Sequence, residues 1–236
     1  MKIYISTTKT LDDISCIIFF YSGLKVTSLG GRHSDVDVSG HEEADTKIVS
    51  HTLDALRAGH KTVVVTTVDT DVVIILLGMH HLTTRFPDAD IWVGFGPKKS
   101  FRYYHIKTLY NDWGSQKCRA MPFFHALTGS DTTSQFLRHG KKAAWKTWAT
   151  YQEANEAFAI PASNPFVKID VMSKLFQCVE RFVCLLYQPS TDLSSVNDQR
   201  RELYSKKGKQ IDALPPTQVC ICFKQFMRMP VIHIFA

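Results

Sequence analysis

Apolar and polar residues alternate with different periods in different parts of the chain, and the periods divide it into elements. Two β-branched and aromatic runs, Lys2–Ser6 and Cys16–Tyr21, predict strands near the start. The stretch "SLGGRHSDVDVSG" that follows is rich in Gly, Ser and Asp and predicts a loop. From about Gly40 to Ala58 the period becomes helical, with Ala44, Ile48, Leu53 and Leu56 forming an apolar stripe. Ser39 and Glu42 make an S-x-x-E capping box at its start, and Gly59 stops it. "KTVVVTT" is then an unbroken β-branched run, the pattern of a strand buried on both faces of a parallel sheet. "DIWVGFGPKKSFRYYHI" predicts two further strands around a turn at Gly94–Ser100.

The texture changes at Cys118. "MPFFHALTGSDTTSQFLRHGKKAAWKTWATYQEA" predicts a helix, a polar turn, and a second helix entered through Gly140, Lys141 and Lys142. "SNPFVKIDVMSKLFQCVERFVCLLYQ" predicts another helix, with Val171, Leu175, Cys178, Val179, Phe182 and Leu185 at core-facing spacing. A charged stretch, Asp192–Lys209, leads to "ALPPTQ". Beyond it "VCICFKQFMRMPVIHIFA" is apolar without a period and predicts an irregular tail over 214–236. A strand–helix–strand unit followed by helices makes α/β the expected class.

Composition adds limits. At 236 residues, 44% of them hydrophobic, the chain can bury a sizeable core. Its net charge of +6 favours an anionic partner, nucleic acid included. The six cysteines are scattered, and only Cys220 and Cys222 are close, so neither a zinc site nor a disulfide framework is expected. No basic-then-apolar leader opens the sequence, and the longest apolar run, "VVIILLG", is too short to span a bilayer. The expected setting is intracellular with reduced thiols, and no membrane partner.

Against this basic balance, the acids of residues 41–78 are oddly concentrated. Glu42, Glu43 and Asp45 cluster at the helix start, and Asp69 and Asp71 follow directly on the "VVVTT" strand. A helix that crosses back over a sheet brings its N-terminus to the carboxyl end of the next strand, which is where open sheets bind ligands. Carboxylates that converge there repel one another unless a cation joins them, and oxygen donors suit Mg²⁺ or Mn²⁺. The plainer alternatives are that Asp69 caps the next segment and that Glu42 serves its capping box. A third stretch, "ALTGSDTTSQFLRHGKKAAW", sets Asp131 in a polar turn nine residues before Gly140, where backbone N–H groups and lysines could meet phosphate. An ordinary connector with a solvated lysine pair is the alternative there.

Taken in series, these stretches resemble a known family. "EEADTKIVSHTL" is similar to the acidic helix start of the PIN-like superfamily, in particular the flap-endonuclease or XPG-type 5′ nucleases. "VVVTTVDTDVVIILLG" resembles their strand with Asp-x-Asp, and "LTGSDTTSQFLRHGKKAAWKT" their Gly-x-Asp turn and helix–three-turn–helix. The chain as a whole also resembles uncharacterised PIN-like proteins of animal genomes that are linked to mobile elements. The resemblance implies a Rossmann-like, mostly parallel sheet with flanking helices over 1–117, and a helical region over 118–213 with the helix–three-turn–helix at about 119–150. It implies that Glu43, Asp45, Asp69, Asp71 and Asp131 are catalytic and hold two Mg²⁺ or Mn²⁺ ions, with Glu42 as an alternative register for Glu43. Gly129, Gly140, Lys141 and Lys142 would hold the backbone of DNA, or of RNA, without reading sequence. The implied activity is structure-selective phosphodiester hydrolysis by a two-metal mechanism, and the implied location is nuclear.

The family's first strand, which ends in a metal-binding Asp, has no counterpart here. Asp12 and Asp13 follow "TTKTL", and Asp35 and Asp37 lie in the glycine-rich loop. The expectation is therefore a form truncated at its N-terminus, with a catalytically degenerate nucleic-acid-binding or interaction protein as the alternative. A phosphatase with Asp69 of "DTDVV" as nucleophile is a third reading. It needs a later acidic pair at another strand end, which the sequence does not offer. Oligomeric state is left open.

Overall fold

The structure is a computed structural model that describes residues 2–6, 17–22, 25–29, 44–130, 133–164, 170–207 and 214–226. The chain is mixed α/β and divides into two compact units that part between Cys118 and Arg119.

The first unit holds strands β1 (Lys2–Ser6), β2 (Ile17–Ser22), β3 (Lys25–Leu29), β4 (Thr62–Thr67), β5 (Asp90–Phe95) and β6 (Arg102–His105). They form one sheet in the order β3-β2-β1-β4-β5-β6. β1 and β2 lie on the two runs read as strands, and β3 occupies a stretch whose pattern suggested no element. The expected mostly parallel sheet is corrected. β4 and β5 are the parallel pair, whereas β1–β2, β1–β4, β2–β3 and β5–β6 run antiparallel.

Helices α1 (Ala44–Arg57), α2 (Thr70–Gly78) and α3 (Ile106–Trp113) belong to the same unit. The stripe of α1 packs as its spacing requires, with Ile48, Leu53 and Leu56 buried. Its capping-box residues Ser39 and Glu42 lie outside the described residues. At its other end Gly59 takes a positive φ of 91°. The Gly59 N–H donates to Leu56 O and the His60 N–H to Ala55 O, each at 3.1 Å, which closes the last turn. β4 is not buried on both faces. Val63, Val65 and Thr67 are buried while Thr62, Val64 and Thr66 are half-exposed, so the run that looked uniformly apolar is read by the pleat as alternating. Ile91 and Val93 of β5 continue the buried face.

The second unit carries α5 (Lys141–Thr150), α6 (Ala154–Ser163), α7 (Lys174–Tyr187), α8 (Val196–Lys207) and α9 (Gln218–Phe226), and most of α4 (Ser115–Leu127). Its core is aromatic. Phe124 stacks on Trp148 with centroids 4.5 Å apart, and Phe158 meets Phe182 edge-on at 5.2 Å. Each such ring contributes about 2–3 kcal/mol through burial.

Two expectations are corrected in this unit. On α7, Val171 lies before the helix and is exposed, while Phe176, Val183, Cys184, Leu186 and Tyr187 join Val179 and Phe182 in the core. Leu175, Cys178 and Leu185 of the expected stripe are half-exposed, so the buried face, on which α5, α6 and α8 pack, is turned from the expected one. Part of the stretch read as an irregular tail is α9, whose Ile221 is fully buried. Glu180 explains why that end is tied down. Although buried, its carboxylate accepts the Val196 N–H at the start of α8 (2.9 Å) and Gln218 Nε2 of α9 (3.3 Å). Among the described residues no helix is long and apolar enough to cross a membrane.

Candidate functional site

The carboxyl end of β4 turns into α2 through Val68 and Asp69. The Asp69 N–H donates to Thr67 Oγ1 (2.9 Å), and Asp69 Oδ1 accepts the Asp71 N–H (2.9 Å). With φ −96° and ψ 127°, Asp69 is the N-cap of α2, and Asp71 sits in the first turn. The capping alternative for Asp69 is thus realised in the structure. It occupies one carboxylate oxygen, and a carboxylate has acceptor sites on both. The N-terminal end of α2 favours both negative charges through its dipole.

Asp45 is placed by its backbone at the second position of α1. Because α1 ends where β4 begins, relative lengths bear on where its acidic start lies. Fourteen helical residues rise about 21 Å, and six strand residues about 20 Å. Glu42, Glu43 and Asp131 lie outside the described residues. Among those described, no group of three or more His, Cys, Asp or Glu side chains is close enough together to hold a metal ion.

The neighbour of this rim is the tip of the β5–β6 hairpin. The Gly96 N–H donates to Thr67 O at 3.1 Å, which fastens the tip to the last residue of β4. Gly96 itself has φ 103°, and a Cβ there would meet Ser100 O at 3.0 Å, so the turn needs glycine. Lower on the hairpin, His105 stacks on Trp92 at 4.4 Å while its ring nitrogens lie 2.8 Å from Thr108 Oγ1 and 3.2 Å from Asp90 Oδ1. Nearby His80 is held below the usual imidazole range by burial, then by the charges of Lys107, His105 and His81. Burial therefore favours its neutral form.

In the second unit, the connection between α4 and α5 is built around Gly129 and Lys141. Gly129 has φ 112°, and a Cβ on it would lie 2.8 Å from Gln135 Cβ and 2.9 Å from Gln135 Cα. Ser130 and Thr133 pair their backbones, and Thr133 Oγ1 donates to Ala126 O at 2.6 Å. Gly140 is the N-cap of α5. Lys141, expected to face phosphate, is exposed and directs its ammonium to the end of α4. Lys141 Nζ donates to His125 O (3.0 Å), to Thr128 Oγ1 (3.4 Å) and to Gly129 O. Lys142 is exposed, as is Lys146 one turn on. Both lysines of the pair are exposed, and Lys141 is in addition tied to the end of α4.

Two features escaped sequence reasoning. One is the aromatic face of the hairpin, whose alternation was visible only as strand pattern. The other is an open groove between α6 and α7, lined by Tyr151, Glu153, Glu156, Ile160 and Cys178 among others. Tyr151 donates its O–H to Cys178 Sγ at 3.3 Å, and burial raises the pKa of both. Burial likewise pushes the Cys118 thiol to about 11 and Cys184 to about 12. These thiols stay protonated at neutral pH, which removes them as nucleophiles or thiolate ligands.

No protein-family model, no curated protein and no solved structure matches the chain.

Proposed function

We propose that the chain is a metal-dependent, structure-selective nuclease of the PIN-like, flap-endonuclease type. The observation that carries the reading is the Asp69-x-Asp71 pair at the carboxyl end of β4, beside its parallel partner β5 and at the start of α2. Rims of this kind collect ligands because loops and helix N-termini converge there. Asp45, in the first turn of α1, and Glu43 (or Glu42) join the proposed donor set within the first unit, and Asp131 is a separate candidate of the second. The matching lengths of α1 and β4 support an approach of Asp45 to this rim. All the donors are carboxylates, the chemistry that Mg²⁺ and Mn²⁺ accept. Two such ions, when bound, supply an activated water and stabilise the leaving oxygen of a phosphodiester. The chain's own part is to hold these acids on a rigid strand end and to present cations such as Lys142 to the nucleic-acid backbone, DNA or RNA, without sequence preference. A nuclear location follows from a DNA substrate and is part of the proposal.

Asparagine substitutions test this cleanly, because Asn caps a helix as well as Asp does. Asp69→Asn and Asp71→Asn should each lower Mg²⁺- or Mn²⁺-dependent cleavage of a flap DNA by at least about a hundredfold with little change in Tm. Cleavage that survives both changes would overturn the reading.

A second reading keeps the fold without the catalysis. It is favoured by the structural duties of Asp69 as a cap and Lys141 as a tie between helices. It expects salt-sensitive nucleic-acid binding that EDTA leaves unchanged, and no cleavage by the wild type.

A further inference from the structure

The β5–β6 hairpin has two faces, and the pleat assigns them. Ile91 and Val93 point into the core, so Trp92 and Gly94 face outward. Residues directly opposite in an antiparallel pair share a face. Trp92 pairs with His105 and Gly94 with Tyr103, which puts all four on the outer side. Phe101 joins them. Its ring lies over Gly94, where a Cβ would come within 2.5 Å of Phe101 Cζ. Phe101 also meets Tyr103 edge-to-face at 5.1 Å. The outer side of the hairpin is thus a row of four aromatic rings. Two of them remain accessible, Tyr103 at 62% and Phe101 at 37%.

Exposed rings gathered on one face are a feature of interaction surfaces. The surrounding charge indicates the chemistry of the partner. Lys99 at the hairpin tip, Arg102 at the start of β6 and Lys107 at the start of α3 are exposed, and none has an ion-pair partner among the described residues. Of the acids of the hairpin region, Asp88 pairs with Lys61 at 3.2 Å, and Asp90 Oδ1 lies 3.2 Å from His105 Nε2. A flat, π-faced ligand with regularly spaced negative charge fits such a surface. Gly94 matters here because a side chain at that position would displace Phe101 from its place over the strand.

We propose that this face binds single-stranded nucleic acid, with bases stacked on Tyr103 and Phe101 and phosphates held by Lys99, Arg102 and Lys107. Stacking of this kind tolerates any base, because every base has a π-face. The hairpin tip is bonded to Thr67, two residues before Asp69, so a strand lying on the rings would lead toward the acidic rim. The proposal takes nucleic acid as partner from the nuclease reading and adds the strandedness and the surface. It does not need cleavage to be true.

The test is equilibrium binding of fluorescein-labelled oligo(dT) and oligo(U) to the full chain in EDTA, followed by anisotropy at several salt concentrations. Tyr103→Ala with Phe101→Ala should weaken binding about tenfold or more to both oligomers. Tyr103→Phe, which keeps the ring, should restore most of it. Lys99→Ala with Lys107→Ala should reduce the salt dependence by between one and two phosphate contacts. Wild-type affinity in the double aromatic variant, with an unchanged circular dichroism melt, would overturn the proposal, as would the absence of single-strand binding by the wild type at low salt. EDTA separates the outcomes, since loss of cleavage alone leaves this binding untouched and loss of this binding alone leaves metal-dependent cleavage of duplex flaps in place.

Discussion

The end of β4 and the connection from α4 to α5 are both turns that open a helix, and both carry charges expected to serve a polyanion. They differ in what holds those charges. At Asp69 the partner is local, the N–H of Asp71 two residues on, and one carboxylate oxygen suffices for it. At Lys141 the partners are the His125 and Gly129 carbonyls and the Thr128 hydroxyl, 12 to 16 residues back. An ammonium has three donors, and three acceptors at the end of α4 lie within reach of this one. An acid can therefore cap a helix and still coordinate, whereas a lysine spent on a helix end has little left for phosphate. Polarity and valence of the side chain, more than its position in a motif, decide whether a structural duty excludes a functional one.

Of these positions Gly129 is the most sensitive to substitution. Gly129→Ala forces a left-handed backbone on alanine and drives its Cβ into Gln135. It should cost about 3 kcal/mol, read as a lower urea midpoint at unchanged slope. A loss below about 0.5 kcal/mol would show that the connection relaxes freely, and Lys141 would then not be fixed by it.

Asp69 gives the next effect. Asp69→Ala should lower stability by about 1 kcal/mol, whereas Asp69→Asn should change it by only a few tenths. Equal losses would mean that charge rather than capping stabilises this end of α2.

Lys142 gives the smallest. Lys142→Ala should leave the melting temperature within about a degree or two, consistent with its exposure. It should lower the salt slope of duplex DNA binding by about one unit. An unchanged slope would remove the α5 start from the nucleic-acid surface.

How much of this was legible in the sequence depends on how local each signal is. The runs at Lys2–Ser6, "KTVVVTT" and "DIWVGFGPKKSFRYYHI" read correctly as strands because β-branched and aromatic residues crowd them and Gly and Pro bound the turn. Sheet direction read correctly for β4 with β5 alone. A β-branched run looks the same whether its neighbours are parallel or antiparallel, and β1 proved to lie antiparallel beside β4. α7 misled because two apolar stripes compete along it: Phe176, Val179, Val183, Leu186 and Tyr187 are buried, whereas Leu175, Cys178 and Leu185 of the expected stripe are half-exposed. α9 was missed because its period is short and its burial rests on Ile221 and on distant Glu180. At the candidate site, the Asp69 cap was foreseeable from its place after a strand. The lock formed by Lys141 was not, because a side-chain bond to a carbonyl 16 residues away leaves no mark in local pattern.

If the Asp69–Asp71 rim holds a divalent ion, Mn²⁺ reports on it directly. Titrating the full chain with Mn²⁺ and following the free-ion electron paramagnetic resonance signal measures uptake without any substrate. The wild type should take up Mn²⁺ saturably, and the Asp69→Asn, Asp71→Asn double variant, folded by circular dichroism, should lose that uptake. Equal uptake by the two proteins, or none by the wild type, would contradict ion binding at the rim.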